Sequence, residues 1–124
     1  MTQWLKLLAA GLLWALFCST AYAADISMKA ELVDADAKAI KKEATVKVTV
    51  VGVEMTDPAE AKEQPKDGQG HLHYRVDDGP VIATTATKLS FHDLSQGKHV
   101  FQIVLAGNDH KPLGPETTLS VTVP

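Results

Sequence analysis

The run Leu94-Ser95-Gln96-Gly97-Lys98-His99-Val100-Phe101-Gln102-Ile103-Val104-Leu105-Ala106-Gly107-Asn108-Asp109 decides the fold. Its opening residues read as the corner that starts strand F of a two-sheet β-sandwich, with His99 where such corners usually carry a tyrosine. Phe101, Ile103 and Leu105 follow at every second position, so they share a face, and His99 is in phase with them. Ala106-Gly107-Asn108-Asp109 then reads as the turn that ends the strand. A buried corner histidine, hydrogen-bonded to nearby backbone, is the expected role of His99.

Working outward, His71-Leu72-His73-Tyr74-Arg75-Val76-Asp77 is a second alternating run, with Leu72, Tyr74 and Val76 inward and His71, His73 and Arg75 outward. Asp77-Asp78-Gly79-Pro80 is a turn in which aspartate favours backbone hydrogen bonding. If this run is strand C, it lies antiparallel to F, and its start sits beside the end of F. His71 and His73 then meet His110 at one end of the sandwich, while His99 falls at the other, roughly 20–25 Å away at about 3.3 Å per residue. Further strands are expected around Ile26, Met28, Ala30 and Leu32; around Val46, Val48 and Val50, with a bulge at Gly52; over 81–84; at Leu89 and Phe91; and at Leu119, Val121 and Val123. Residues 56–70 are polar, hold two prolines and two glycines, and read as a long loop with at most a turn of helix. The pattern predicts an all-β chain: an immunoglobulin-like antiparallel β-sandwich of about seven strands with no disulfide, and under about 10% helix confined to 56–70.

The amino-terminal residues stand apart from this pattern. Lys6 precedes the unbroken apolar run 7–17, and Ala21-Tyr22-Ala23 fits a small-x-small cleavage rule. Residues 1–23 are therefore expected to be a secretory signal peptide, cleaved between Ala23 and Ala24, leaving residues 24–124 as one domain. The apolar run is shorter than the roughly 20 residues a membrane span needs. Cys18 is preceded by the bulky Phe17, which argues against a lipid-attachment site. That cysteine is the only one in the chain, so the exported domain carries no disulfide and no thiolate chemistry. A net charge of −3 argues against nucleic acid and anionic membrane surfaces as partners. A periplasmic or secreted location follows.

The chemistry lies in the histidines, all five of which fall between His71 and His110. Two imidazoles at i, i+2 of a strand share a face, and that spacing suits a chelating pair for copper or zinc. His110 can complete a three-ligand site, with Asp109 beside it as an oxygen ligand. The alternative is a pair of exposed strand histidines with no ligand at all. His92 is out of phase with Leu89 and Phe91 and is expected to face solvent, and Met28 and Met55 read as core or strand-end residues. No Gly-x-Ser-x-Gly elbow, P-loop or Gly-rich dinucleotide turn occurs, and no nucleophile is organised around Ser90 or Ser95, so the chain does not read as an enzyme. Two functions remain. One is a periplasmic histidine-rich metal-binding protein that buffers copper or zinc, or delivers it to a metal-receiving partner. The other is a metal-free immunoglobulin-like module that binds an envelope protein. Glycan binding is disfavoured, because Tyr74, Phe91 and Phe101 are all in phase with core positions.

The elements Gly70-His71-Leu72-His73 with Asp77, Gly97-Lys98-His99 and Asn108-Asp109-His110 resemble a group of small exported bacterial domains, the domain-of-unknown-function family DUF4399. The resemblance covers about residues 68–123. It implies an immunoglobulin-like sandwich exported to the periplasm, with His71, His73, His99 and His110 as motif histidines. It supplies no activity. His99 belongs to this motif yet falls at the far end of the expected sandwich, so either it is a structural corner residue or the strand assignment is wrong.

Overall fold

The computed structural model describes residues 25–124, so the expected signal peptide and its cleavage site lie outside the described residues. The chain runs β1 (Ser27–Leu32), α1 (Ala35–Ile40), β2 (Ala44–Val51), β3 (Glu54–Met55), β4 (Gln69–Val76), β5 (Ile82–Thr84), β6 (Lys88–Phe91), β7 (Gly97–Ala106) and β8 (Pro112–Val123). One sheet has the order β1-β2-β6, and the other β3-β4-β7-β8, with β5 also paired to β4. This is an all-β sandwich with the strand order of immunoglobulin-like domains, in which β4 takes the place of strand C and β7 that of strand F. One pairing departs from the antiparallel expectation: β3 runs parallel to the start of β4.

Alternation builds the core as expected. Val46 and Val48 from one sheet face Leu72, Tyr74, Phe101, Ile103 and Leu105 from the other, all buried. Phe91 packs its ring 5.2 Å from Phe101 and 6.4 Å from Tyr74, while the Tyr74 hydroxyl donates to the Ala86 carbonyl at 2.7 Å. The three aromatic residues are thus committed to the interior, as their phase predicted.

Four details differ from the sequence expectation. The helix is not in 56–70 but at 35–40, where alanine- and lysine-rich sequence favours it, and a helix of six residues is too short to display a 3.6-residue period. The 56–70 segment forms successive hydrogen-bonded turns instead. Gly52 is not a bulge: at φ 90° it turns the chain from one sheet to the other, and a Cβ there would meet the Asp25 carbonyl at 2.5 Å. A bulge occurs between Val104 and Ala106, at the end of β7 that leads to His110. Strand β8 also starts at Pro112, well before Leu119; it pairs in its sheet only with β7, and such an edge position tolerates the prolines that disguise the strand in sequence.

Candidate metal centre

The pairing of β4 with β7 assembles the site. Its register sets His71 opposite Ala106 and His73 opposite Val104, so both histidines stand where β7 ends. The hairpin that follows is tight: Gly107 N–H donates to the Lys111 carbonyl and His110 N–H to the Gly107 carbonyl, each at 2.8 Å. That closure puts His110 in the left-handed region, φ 66°, and folds its ring back over β4. Gly70 allows the close approach, because a Cβ there would lie 2.5 Å from the Ala106 carbonyl.

Three imidazoles converge as the antiparallel C–F arrangement predicts. His71 Nε2 lies 2.9 Å from His73 Nε2, and His110 Nδ1 lies 3.4 Å from that same His73 nitrogen. One candidate ligand atom from each ring falls within 4.8 Å of the others, so the three histidines can hold a metal ion. The spacing suits the ion's own geometry: ligands at ~2.0–2.1 Å in a tetrahedron stand about 3.3 Å apart. Two neutral rings whose nitrogens are 2.9 Å apart share a single proton, and a cation can take that proton's place.

The environment disfavours protonation of His71 and His73. His71 is fully buried, although it points to the outer face of its sheet, because the rings of His73 and His110 pack against it at 4.7 and 4.9 Å. Burial first, then the proximity of His73 and His110, hold its pKa down to about 4 against a slight opposing pull from Asp57. His73 is also lowered, by burial and then by His110. Protonation would place like charges in contact away from water, so the cluster favours neutral imidazole, the form a metal requires. His71 Nδ1 is buried without a hydrogen-bond partner.

Asp109 is not part of this cluster. Its Oδ1 accepts the Lys111 N–H at 3.1 Å, so its role is to shape the hairpin. Asn108, expected only as a turn residue, is completely buried and donates from Nδ2 to both the Gln64 carbonyl and Gln69 Oε1, each at 2.9 Å. It ties the long 56–70 loop to the hairpin. Glu63, carried by that loop, approaches His110 Nε2 to 3.8 Å.

His99 lies at the other end of β7 and takes no part in the cluster. It is buried, its Nε2–H donates to the Ser95 carbonyl at 2.7 Å, and its Nδ1 pairs with Asp77 Oδ2 at 2.5 Å. Asp77 Oδ1 in turn accepts the Val100 N–H at 2.7 Å. The corner role expected of His99 is present, and Asp77 is its partner rather than a turn residue alone. That pairing follows from the strand register, which sets Val76 opposite Phe101 and brings the next residue, Asp77, level with Val100. The Ser95 carbonyl, which accepts the Nε2 proton, and then the Asp77 carboxylate raise the His99 pKa, and the Val100 N–H and then His99 lower that of Asp77. His92 is exposed and stands 3.3 Å from Glu43. Compared with protein-family models the chain matches none, and it matches no curated protein either. The two ends of the sheet divide these histidines by geometry: His71, His73 and His110 form a polar cluster with ligand spacing, and His99 forms a structural corner.

Proposed function

We propose that this protein is a non-catalytic metal-binding protein of the periplasm, the location the DUF4399 resemblance implies, and that it holds copper or zinc for buffering or delivery. One observation carries this reading: three imidazole nitrogens from a strand and an adjoining hairpin converge within 4.8 Å. Three neutral nitrogen donors suit Cu(II) and Zn(II), and an open fourth position leaves room for a water or for a ligand donated by a receiving protein. The site lies at a sheet end with His110 partly exposed, which favours handing an ion on over locking it away. Among the described residues no helix is long and apolar enough to cross a membrane.

Calorimetric titration of protein purified without a histidine tag, with Cu(II) and with Zn(II), tests the proposal, together with elemental analysis of the purified protein. Saturable binding of one ion per chain is expected, with proton release, and with loss of binding in His73→Ala. Lowered His71 and His73 pKa values let the ion compete with protons further into the acid range than the 6.5 of free imidazole implies. A chain that binds neither ion would leave the metal-free module binding an envelope protein as the better reading.

A further inference from the structure

Among the described residues Glu63 is the one carboxylate in ion-pair range of the triad. The 56–70 loop delivers it by a strained route. Lys62 and Glu63 are both left-handed, each at φ 54°, and Gln64 N–H closes the turn on the Ala61 carbonyl at 3.0 Å. Two consecutive non-glycine residues in that region persist only where surrounding contacts hold them. Here the holding contact is identifiable: the buried Asn108 grips the Gln64 carbonyl, immediately after Glu63, and Asn108 belongs to the same hairpin as His110. Loop and hairpin are thereby fixed to each other, with the carboxylate on the solvent side of the ring.

The two nitrogens of His110 face different groups. Nδ1 faces His73 Nε2 at 3.4 Å, inside the cluster, and Nε2 faces Glu63 Oε2 at 3.8 Å, outside it. A neutral imidazole carries one proton, and an ionised carboxylate can only accept. A carboxylate beside Nε2 therefore draws the proton there and leaves the Nδ1 lone pair directed into the cluster. Metal-ligating histidines commonly donate their other N–H to such a carboxylate, which fixes ring orientation and raises ligand basicity.

We propose that Glu63 is a positioning residue of the site, which sets the His110 tautomer so that Nδ1 is the ligating atom. This rests on the metal reading above. Asp109, the neighbouring carboxylate in sequence, is engaged with the Lys111 N–H and does not compete for the role. Glu63 itself is exposed, so removing it should leave the fold intact.

The test compares Glu63→Ala, Glu63→Gln and Glu60→Ala, the last an exposed charge in the same loop. Zn(II) titration should show Glu63→Ala weakened by about tenfold, the lower end of what loss of an outer-shell partner costs. Glu63→Gln should retain most of the affinity, because its amide oxygen also presents an acceptor toward Nε2, and Glu60→Ala should bind like the wild type. Ring-nitrogen NMR of the metal-free protein should show His110 protonated on Nε2 in the wild type and redistributed toward Nδ1 in Glu63→Ala. Wild-type affinity in Glu63→Ala, a loss equalled by Glu60→Ala, or an unchanged His110 tautomer overturns the role of Glu63 alone. Failure of the wild type to bind Zn(II) or Cu(II) overturns instead the metal reading on which it rests.

Discussion

Replacing His71 with leucine should make the metal-free protein more acid-resistant while removing its metal affinity. His71 is fully buried, with Nδ1 unpartnered and a pKa held to about 4, whereas the unfolded chain titrates near 6.5. A folded-state pKa below the unfolded value means that the unfolded chain takes up the proton first. Stability from this group is thus complete above about pH 6.5 and declines as pH falls toward 4. Integrating between those two values gives a loss of about 2 kcal/mol at pH 5 and about 3 kcal/mol at pH 4. His71→Leu lacks that term. Near pH 7.5 the variant should lie within about 1 kcal/mol of the wild type, since it loses one hydrogen bond and sheds one orphaned polar atom. His73 is lowered by burial and by His110 rather than by His71, so its contribution survives in both proteins and cancels in the comparison. The assay is urea unfolding with a chelator present, across pH 7.5 to 5. With slopes of about 1–3 kcal/mol/M, the variant's midpoint should gain roughly 0.7–2 M on the wild type over that range. Parallel curves would refute the reasoning, and would mean that His71 protonates in the folded protein without penalty.

Other consequences follow from the same geometry. His99→Ala should destabilise the fold by about 1–3 kcal/mol, through an unpaired Asp77 and Ser95 carbonyl, and leave metal affinity unchanged; a calorimetric titration that lost binding would make His99 a ligand after all. The His99–Asp77 corner should stabilise most between about pH 4 and 6.5. The raised His99 pKa contributes fully below 6.5 and fades above it, and the lowered Asp77 pKa contributes above 3.8 and fades below it. Asp77→Asn should flatten that optimum in urea midpoints, with a small amplitude because the Asp77 side chain is 42% exposed and screened. His110→Gly should abolish metal binding at little cost to stability, since relief of the left-handed strain at φ 66° offsets the added chain entropy within about 0.5 kcal/mol. A loss above about 1.5 kcal/mol in thermal unfolding would show that the His110 ring is chiefly a packing element.

Much of this protein is legible in its sequence because strand alternation is a local signal. Two-residue periodicity at Val46–Val48, Leu72–Tyr74 and Phe101–Leu105 placed those side chains inside, and two such strands with a turn after each were enough to predict that His71, His73 and His110 meet. Phase alone also placed His99 in the interior. Other features depend on what lies across the fold. Alternation puts His71 on the outer face, yet it is buried, because the neighbouring imidazoles close over it, and that burial sets its pKa. The helix at 35–40 is too short to carry a period, and the prolines of β8 are harmless only at a sheet edge. Asp109 and Asp77 exchanged importance for a similar reason: each carboxylate's role follows from the register and the hairpin closure that face it with a backbone N–H or a histidine, and no residue type encodes that. Glu63 and Asn108 are 45 residues apart in sequence, and only the packing of the loop against the hairpin makes them parts of one site.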